Sequence, residues 1–287
     1  MPVLRMESTA AHSHTRPSVL MLFSYLIMLV TTLFALFPFY WILVTAVKPL
    51  KEIFEYPPRL WPSVFHWENF IHAMKAADFP KYFKNSAIVT TFATVITVYI
   101  NLLAGYAFAK FKFRYKEFLF MIVLSTLMIP LQVIMIPSFI IVSRLGFLNS
   151  YIGLILPTCA EAFGLFLSRQ FISELPDELI ESGRIDGASE LRIFRNIILP
   201  NVKALVGVLV IFTVMWRWND FQWPLIILSD SNMYTVQLGL AMLNGVNYVN
   251  WNDLMGAALL SISPIIIVFL IFQKKFVQGI ASTGIKG

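Results

Sequence analysis

Charge is what this sequence has least of. Only 13% of its 287 residues are Asp, Glu, Lys or Arg, about half the ~25% usual in a soluble domain. With 58% hydrophobic residues and a mean hydropathy of +0.73, that scarcity excludes a soluble globule and implies a polytopic, all-α membrane protein. Thiols are nearly absent as well. Cys159 is the only cysteine, which excludes an internal disulfide and any thiolate metal cluster. The four histidines (His12, His14, His66, His72) make no metal-ligand motif, and His12 and His14 fall in an N-terminal tail. H-E-x-x-H and G-x-S-x-G strings are missing. Residues 279–284 have the glycine spacing of a phosphate loop, but Ile285 stands where its lysine belongs and no strand precedes them. No catalytic role is expected, and energy for any pumping must come from another chain. The net charge of +6 does not call for nucleic acid, because the basic residues lie in short clusters between apolar runs.

What is present is a series of such runs. The first, Val19–Val47, is too long for a signal-peptide core and has no small-residue cleavage site. Further spans are predicted over 87–109, 118–142, 151–171, 203–228 and 254–272, each near the ~20 residues that cross the hydrocarbon core. Pro130 and Pro137, seven apart, are expected on one face of the third. The runs define a tail (1–18), a six-helix transmembrane domain (19–272) and a second tail (273–287), with outer loops at 48–84 and 229–253. The 48–84 loop, rich in proline and aromatics, is expected to lie ordered on the membrane face. With both termini in the cytoplasm, 14 of the 22 Lys and Arg fall inside. The positive-inside rule therefore sets an N-in, C-in topology, although Lys48 and Lys51 then sit at an outer helix end.

One stretch cannot enter lipid. Residues 173–201 read SELPDELIESGRIDGASELRIFRNIILPN and describe two short helices with a bend between them. Pro176, Asp177 and Glu178 suit a first helical turn, Gly187 permits the turn, and Asp186 or Ser189 can cap the second helix. Ile193, Phe194, Ile197 and Ile198 share one face and Arg192 and Arg195 another. Pro200 marks the passage to the next span.

Glu181-Ser182-Gly183, Gly187 and Ile197-x-Leu199-Pro200 match the pattern E-A-A, three residues, G, nine residues, I-x-L-P. In this the chain resembles the membrane-spanning permease subunits of bacterial binding-protein-dependent ABC importers. Ser182 and Gly183 replace the two alanines, and both are small. The strings 175–179 and 184–189 resemble the carbohydrate-uptake, maltose-type branch, as do 218–225, Thr235-Val236-Gln237-Leu238-Gly239-Leu240 and the tail after Phe276. The resemblance implies a type I importer fold in the bacterial cytoplasmic membrane, with 173–201 as a cytoplasmic coupling loop. It implies partners: a second homologous permease as a heterodimer, two ATP-binding cassette subunits and an extracytoplasmic substrate-binding protein. ATP-Mg is then used by the ATPases, and this chain binds no cofactor. Leu179, Ile180 and Ile185 would fill a cleft on the ATPase. Glu181 and Asp186 would make charged contacts or cap the local helices, and Ser182, Gly183, Gly187 and Ala188 complete the docking segment. Gln237, Gly239 and Leu240 would touch the binding protein.

Within the spans, Glu161 has no local partner, while Arg217 and Asp220 lie three residues apart. Such groups normally face a bundle interior or a water-filled path. They are read as lining the translocation pathway with Asn101, Gln132, Asn219 and Gln222, or else as ion pairs that tie helices together. Trp216, Trp218, Trp223, Tyr99 and Tyr106 are candidates for stacking on sugar rings, against an anchoring role at the membrane interface. The methionines of 121–135 read as packing. The expected cargo is a sugar or oligosaccharide. The alternatives are glycerol-phosphate or another polar solute, for which only Arg217 is a plausible basic contact, and a stand-alone secondary transporter, for which no internal duplication is visible.

Overall fold

The computed structural model describes residues 19–76, 78–243 and 250–284, with side chains up to 274. The expected tail 1–18, with His12 and His14, lies outside the described residues. The described residues contain no strand. Three helices are long and apolar enough to cross a membrane: α1 (Val19–Val47), α4 (Phe79–Lys110) and the Trp251–Lys274 part of α15 (Trp251–Gly284). Three bent pairs bring the number to six if each is one span. The last helix continues through Gly284, so the described part of 273–287 is helical.

The bent pairs correct the picture of continuous spans. The third span is α5 (Lys116–Ser125) with a 3-10 turn and α6 (Leu131–Arg144), bent by 105°. Pro130 has the extended conformation of a cap and Pro137 lies inside α6, so the two share no helical face. A proline removes one amide donor and pushes against the carbonyl four residues back. The fourth span is α7 (Tyr151–Ile155), a 3-10 turn and α8 (Ala162–Ser173), bent by 47°. Glu161 is extended at that break. The fifth helix, α12 (Lys203–Trp218), stops ten residues short of the expected end, and α13 (Gln222–Ile227) follows. There Pro224 sits in the first turn of α13, where its missing N–H is not needed, and the Asp220 carboxylate accepts the Trp223 amide at 3.2 Å.

At the outer end, α2 (Leu50–Ile53) and α3 (Glu68–Ala76) fold the 48–84 loop against α1 and α15. Lys48 is 1% exposed. Its ammonium donates to the Arg59 carbonyl at 2.5 Å and lies 4.7 Å from the Trp41 ring centre. Its own carbonyl accepts Asn252 at 2.8 Å. A basic residue at this end of a helix is thus a buried knot joining α1, the loop and α15.

α4 is the mast of the domain, packed most extensively on α8 and also on α12. The α4–α8 approach depends on missing side chains. A Cβ at Gly164 would collide with the Asn101 amide, and one at Gly105 would lie 2.8 Å from the Ser168 carbonyl carbon and 2.9 Å from the Arg169 nitrogen. Small residues at a helix interface in lipid allow this close packing. Asn101 is 2% exposed in this seam, so it lines no open path. Of the methionines at 121–135, Met135 packs against the cluster around Val142 and Trp223, while Met121 and Met128 are 60% and 85% exposed on this chain. Gly105→Ala must push backbone from backbone, and we expect a loss of about 1–3 kcal/mol, read as a lower thermal midpoint of the detergent-solubilised protein. An unchanged midpoint would contradict the packing described.

Candidate functional site

Segment 173–201 forms a hairpin of helices. α9 (Asp177–Ile185) begins after Pro176 and ends in a hydrogen-bonded cap. The Ala188 amide donates to the Gly183 carbonyl and the Gly187 amide to the Arg184 carbonyl, both at 3.0 Å. That pairing requires a left-handed residue at 187, and Gly187 has φ +74° with open space around it. The glycine is needed for conformation, not for room. α10 (Glu190–Ile193) then runs into a π turn, Phe194–Ile198, before α11 (Leu199–Asn201). The Leu199 amide reaches back five residues to Phe194, immediately ahead of Pro200, whose ring disturbs the normal ladder. Ser189 takes the cap position by conformation, without a side-chain bond.

The hairpin is folded against its own protein. Ile180, Ile193, Phe194 and Ile198 are buried in one cluster with Leu102, Tyr106 and Leu205. Ile180, expected to fill a cleft on a partner, is 2% exposed. It faces inward because Leu179 and Ile180 are adjacent and fall on different faces of a helix. Gly183 is also spent internally: a Cβ there would meet Ile197 at 2.9 Å and Ile193 at 3.2 Å. The outward residues are Leu179 at 42%, Ile185 at 85% and Leu191 at 61% exposure, with Glu181, Ser182, Asp186 and Gly187 also exposed and Ala188 half-buried. Leu191 was not singled out from the sequence. As an apolar residue opposite the Ile193–Phe194 face, it was open to detection.

Charged groups fasten the hairpin. Arg184 Nε donates to Glu190 Oε1 at 2.7 Å, and the Tyr106 hydroxyl donates to Glu190 Oε2 at 2.7 Å. Lys110 Nζ donates to the Leu175 carbonyl at 2.5 Å and to Asp177 Oδ1 at 2.6 Å. Arg184, aided by Tyr106, holds the Glu190 carboxyl below its usual range, and Lys110 does the same for Asp177. Folded values that are lowered mean these bonds are in place above the ordinary carboxylate pKa and are lost as pH falls through the lowered value. Beside them lies a cleft of about 570 Å³ lined by Phe111, Lys112, Phe113 and Glu181 among others.

In the membrane part, Glu161 has a partner after all. Arg217 bonds to it and donates to the Thr158 carbonyl at 2.5 Å, and the two charged side chains are 14% and 12% exposed. Arg217 thus fastens α12 to the break between α7 and α8. Asp220 caps α13 as described, and Gln222 meets Gln132 at 3.4 Å. Gln237 donates to Asn219 at 3.2 Å, which brings together residues expected in different roles. Gln237 is the second residue of α14 (Val236–Leu243), and Asn219 follows the last residue of α12. Gly239 is buried with the Tyr82 ring against it, so it offers no surface to a soluble partner. Gln237 and Leu240 are half-buried, and residues 244–249 of that outer loop lie outside the described residues. Among the aromatics, Trp218 is buried and donates to the Ser261 carbonyl, and Trp223 is buried and donates to that of Gly153. With Tyr106 they are occupied by packing. Tyr99 and Trp216 remain exposed, at 48% and 44%.

Broken apolar spans around a central helix, with a capped helical hairpin on one side, define a multi-pass membrane permease. Residues 101–282 match the family described as the inner membrane component of binding-protein-dependent transport systems, and the chain belongs to that family. It is similar to the sn-glycerol-3-phosphate transport system permease protein UgpE of Pectobacterium atrosepticum, 35% identical over 270 residues, covering 91% of this chain and 96% of that protein. The UgpE protein of Salmonella typhi is 35% identical over 272 residues, covering 92% and 97%. Among solved structures it shares the fold of a bacterial ABC transporter involved in the import of the acidic polysaccharide alginate. There the TM-score is 0.79 at 21% identity, covering 90% of this chain and 96% of that one. The chain is a permease component of an ABC importer in the cytoplasmic membrane.

Arg217→Met leaves the buried Glu161 without its counter-charge, and the expected cost is about 3–5 kcal/mol. The double change Glu161→Gln with Arg217→Met removes both charges and should recover most of it. Membrane yield and thermal midpoint measure both, and an intact single variant would contradict the pairing.

Proposed function

We propose that this chain forms half of the pathway for a sugar or oligosaccharide and takes its motion from an ATPase through 173–201. The observation that carries the coupling role is the exposed apolar set Leu179, Ile185 and Leu191 on a hairpin otherwise folded into the protein. A cytoplasmic surface of that kind, with Glu181 and Asp186 beside it, suits a cleft on a soluble partner. In this reading the chain is not an enzyme and holds no cofactor. Two ATP-binding cassette subunits hydrolyse ATP-Mg, a second homologous permease completes the pathway as a heterodimer, and an extracytoplasmic binding protein delivers the solute. Both termini are cytoplasmic. ATP binding favours the outward-facing packing and hydrolysis resets it, a shift between two populations. Glu161, Arg217, Asn219, Asp220 and Gln222 stand beside the helix breaks along that path.

A second reading, import of glycerol-phosphate, is favoured by the names of the relatives. Against it, Arg217 is the only basic residue deep in the spans among the described residues, and its charge is taken by Glu161. The described part of this half of the pathway therefore offers no free cation at that depth, and a neutral, hydroxyl-rich solute fits it better.

Three measurements test these readings. The purified complex should contain a nucleotide-binding subunit, and its absence would contradict ATP-driven import. Gly187→Asp or Ile185→Asp should leave the chain in the membrane, with uptake in proteoliposomes falling about tenfold or more while ATP hydrolysis continues. Normal uptake would remove the coupling role. Uptake of labelled glycerol-phosphate in preference to neutral sugars would reverse the choice of cargo.

A further inference from the structure

Coupling through 173–201 has an evident route along the chain, into α8 on one side and α12 on the other. Both connections are bent. α8 ends at Ser173, and three residues, the last of them Pro176, separate it from α9. On the far side come a π turn and then an 84° bend at Val202, where φ is −107° and ψ 26°.

α4 is not contiguous with the hairpin, yet its last turn is fixed to it at three places. Tyr106 is 3% exposed, with ring centres 5.1 Å from Phe111 and 6.0 Å from Phe194. Its hydroxyl donates to Glu190 at the start of α10. The other oxygen of that carboxylate accepts Arg184 from the end of α9. Four residues after Tyr106, Lys110 has a side chain 7% exposed and holds both Asp177, the first residue of α9, and the Leu175 carbonyl ahead of it. The start of α9 and the start of α10 are thus each bonded to α4 by a charge-assisted contact, the strong kind of hydrogen bond, and the end of α9 is joined to them through Glu190. α4 in turn packs on both α8 and α12.

We infer that Tyr106, Lys110, Arg184 and Glu190 form a clamp that hands the displacement of the hairpin directly to α4, bypassing the two bent connections. The inference rests on the coupling role proposed above. These are positioning residues: they touch neither nucleotide nor solute, and they decide whether the hairpin and the mast move as one body.

The test uses the full complex in proteoliposomes and reads ATP hydrolysed per solute imported, at equal amounts of assembled complex. A merely structural defect lowers hydrolysis and uptake together and leaves that ratio unchanged. Tyr106→Phe removes one hydroxyl from a packed ring and should raise the ratio about tenfold, the factor lost with one hydrogen bond to a charged group. Glu190→Ala should raise it further. Glu190→Gln, which keeps an acceptor for Tyr106, should fall between wild type and Glu190→Ala, and it serves if the phenylalanine variant does not assemble. Wild-type ratios in Tyr106→Phe and Glu190→Ala would overturn the clamp. Gly187→Asp separates the two ideas. If it raises the ratio while the clamp variants do not, only the clamp falls. If it too leaves the ratio unchanged, the coupling role falls with it.

Discussion

The distance between α4 and α8 governs much of this molecule, and what sets it is absence. In lipid there is little hydrophobic gain in bringing two apolar helices together, so close packing must supply the attraction. Gly105 lets α4 meet the backbone at Ser168 and Arg169, and Gly164 makes room for Asn101. With α8 held at that spacing, the hairpin that follows it falls directly under the last turn of α4, where Tyr106 and Lys110 wait at its ends. The break before α8, carrying Glu161, comes within reach of Arg217 on α12. One seam therefore positions both the cytoplasmic handle and the ion pair in the bilayer.

The helix breaks follow from the same need for internal satisfaction. A spanning segment cannot leave backbone groups facing hydrocarbon, so irregular backbone survives only where protein covers it. Near 220 the Asp220 carboxylate takes the Trp223 amide, and the Trp223 indole is itself bonded to the Gly153 carbonyl. Near 158 the Arg217 guanidinium takes the free Thr158 carbonyl as well as the Glu161 carboxylate. The two breaks are stitched to each other by Arg217, which belongs to one span and serves the other. A charge at that depth is costly unless paired, and here it is paired with the group and the carbonyl that a broken helix leaves over.

These features also mark what could be read from the sequence. The bounds of α1 were legible because an apolar run states its own length. The hairpin was legible because its turn glycine, its acidic start and its apolar face are local signals. The breaks were not. Pro38 and Pro264 remain inside helices while Pro130 and Pro224 stand at helix breaks, and the difference lies in which neighbour can take up the freed backbone group. That neighbour is a tertiary fact. Glu161 looked unpartnered for the same reason: Arg217 is 56 positions away, and periodicity says nothing about charges on different spans. Ile180 and Gly239 belonged to strings recognised as contact segments, but a string does not state which of its residues face inward.

The placement of rigid and compliant parts bears on how such a chain can change state. The hairpin end is tightly bonded, with three charge-assisted contacts between hairpin and mast, and at the other end of the mast Asn85 and Ser86 are bonded to the 232–236 segment. Between them lie buried Thr90 and Thr94, whose hydroxyls have no partner among the described residues. They are four apart, so one face of that middle stretch of α4 is held to its neighbours by packing. A face of that sort slides at lower cost than one whose bonds must be broken first. Under the coupling proposed above, displacement entering at Tyr106 and Lys110 would be carried along α4 into that packed middle stretch, which can shift without first breaking hydrogen bonds.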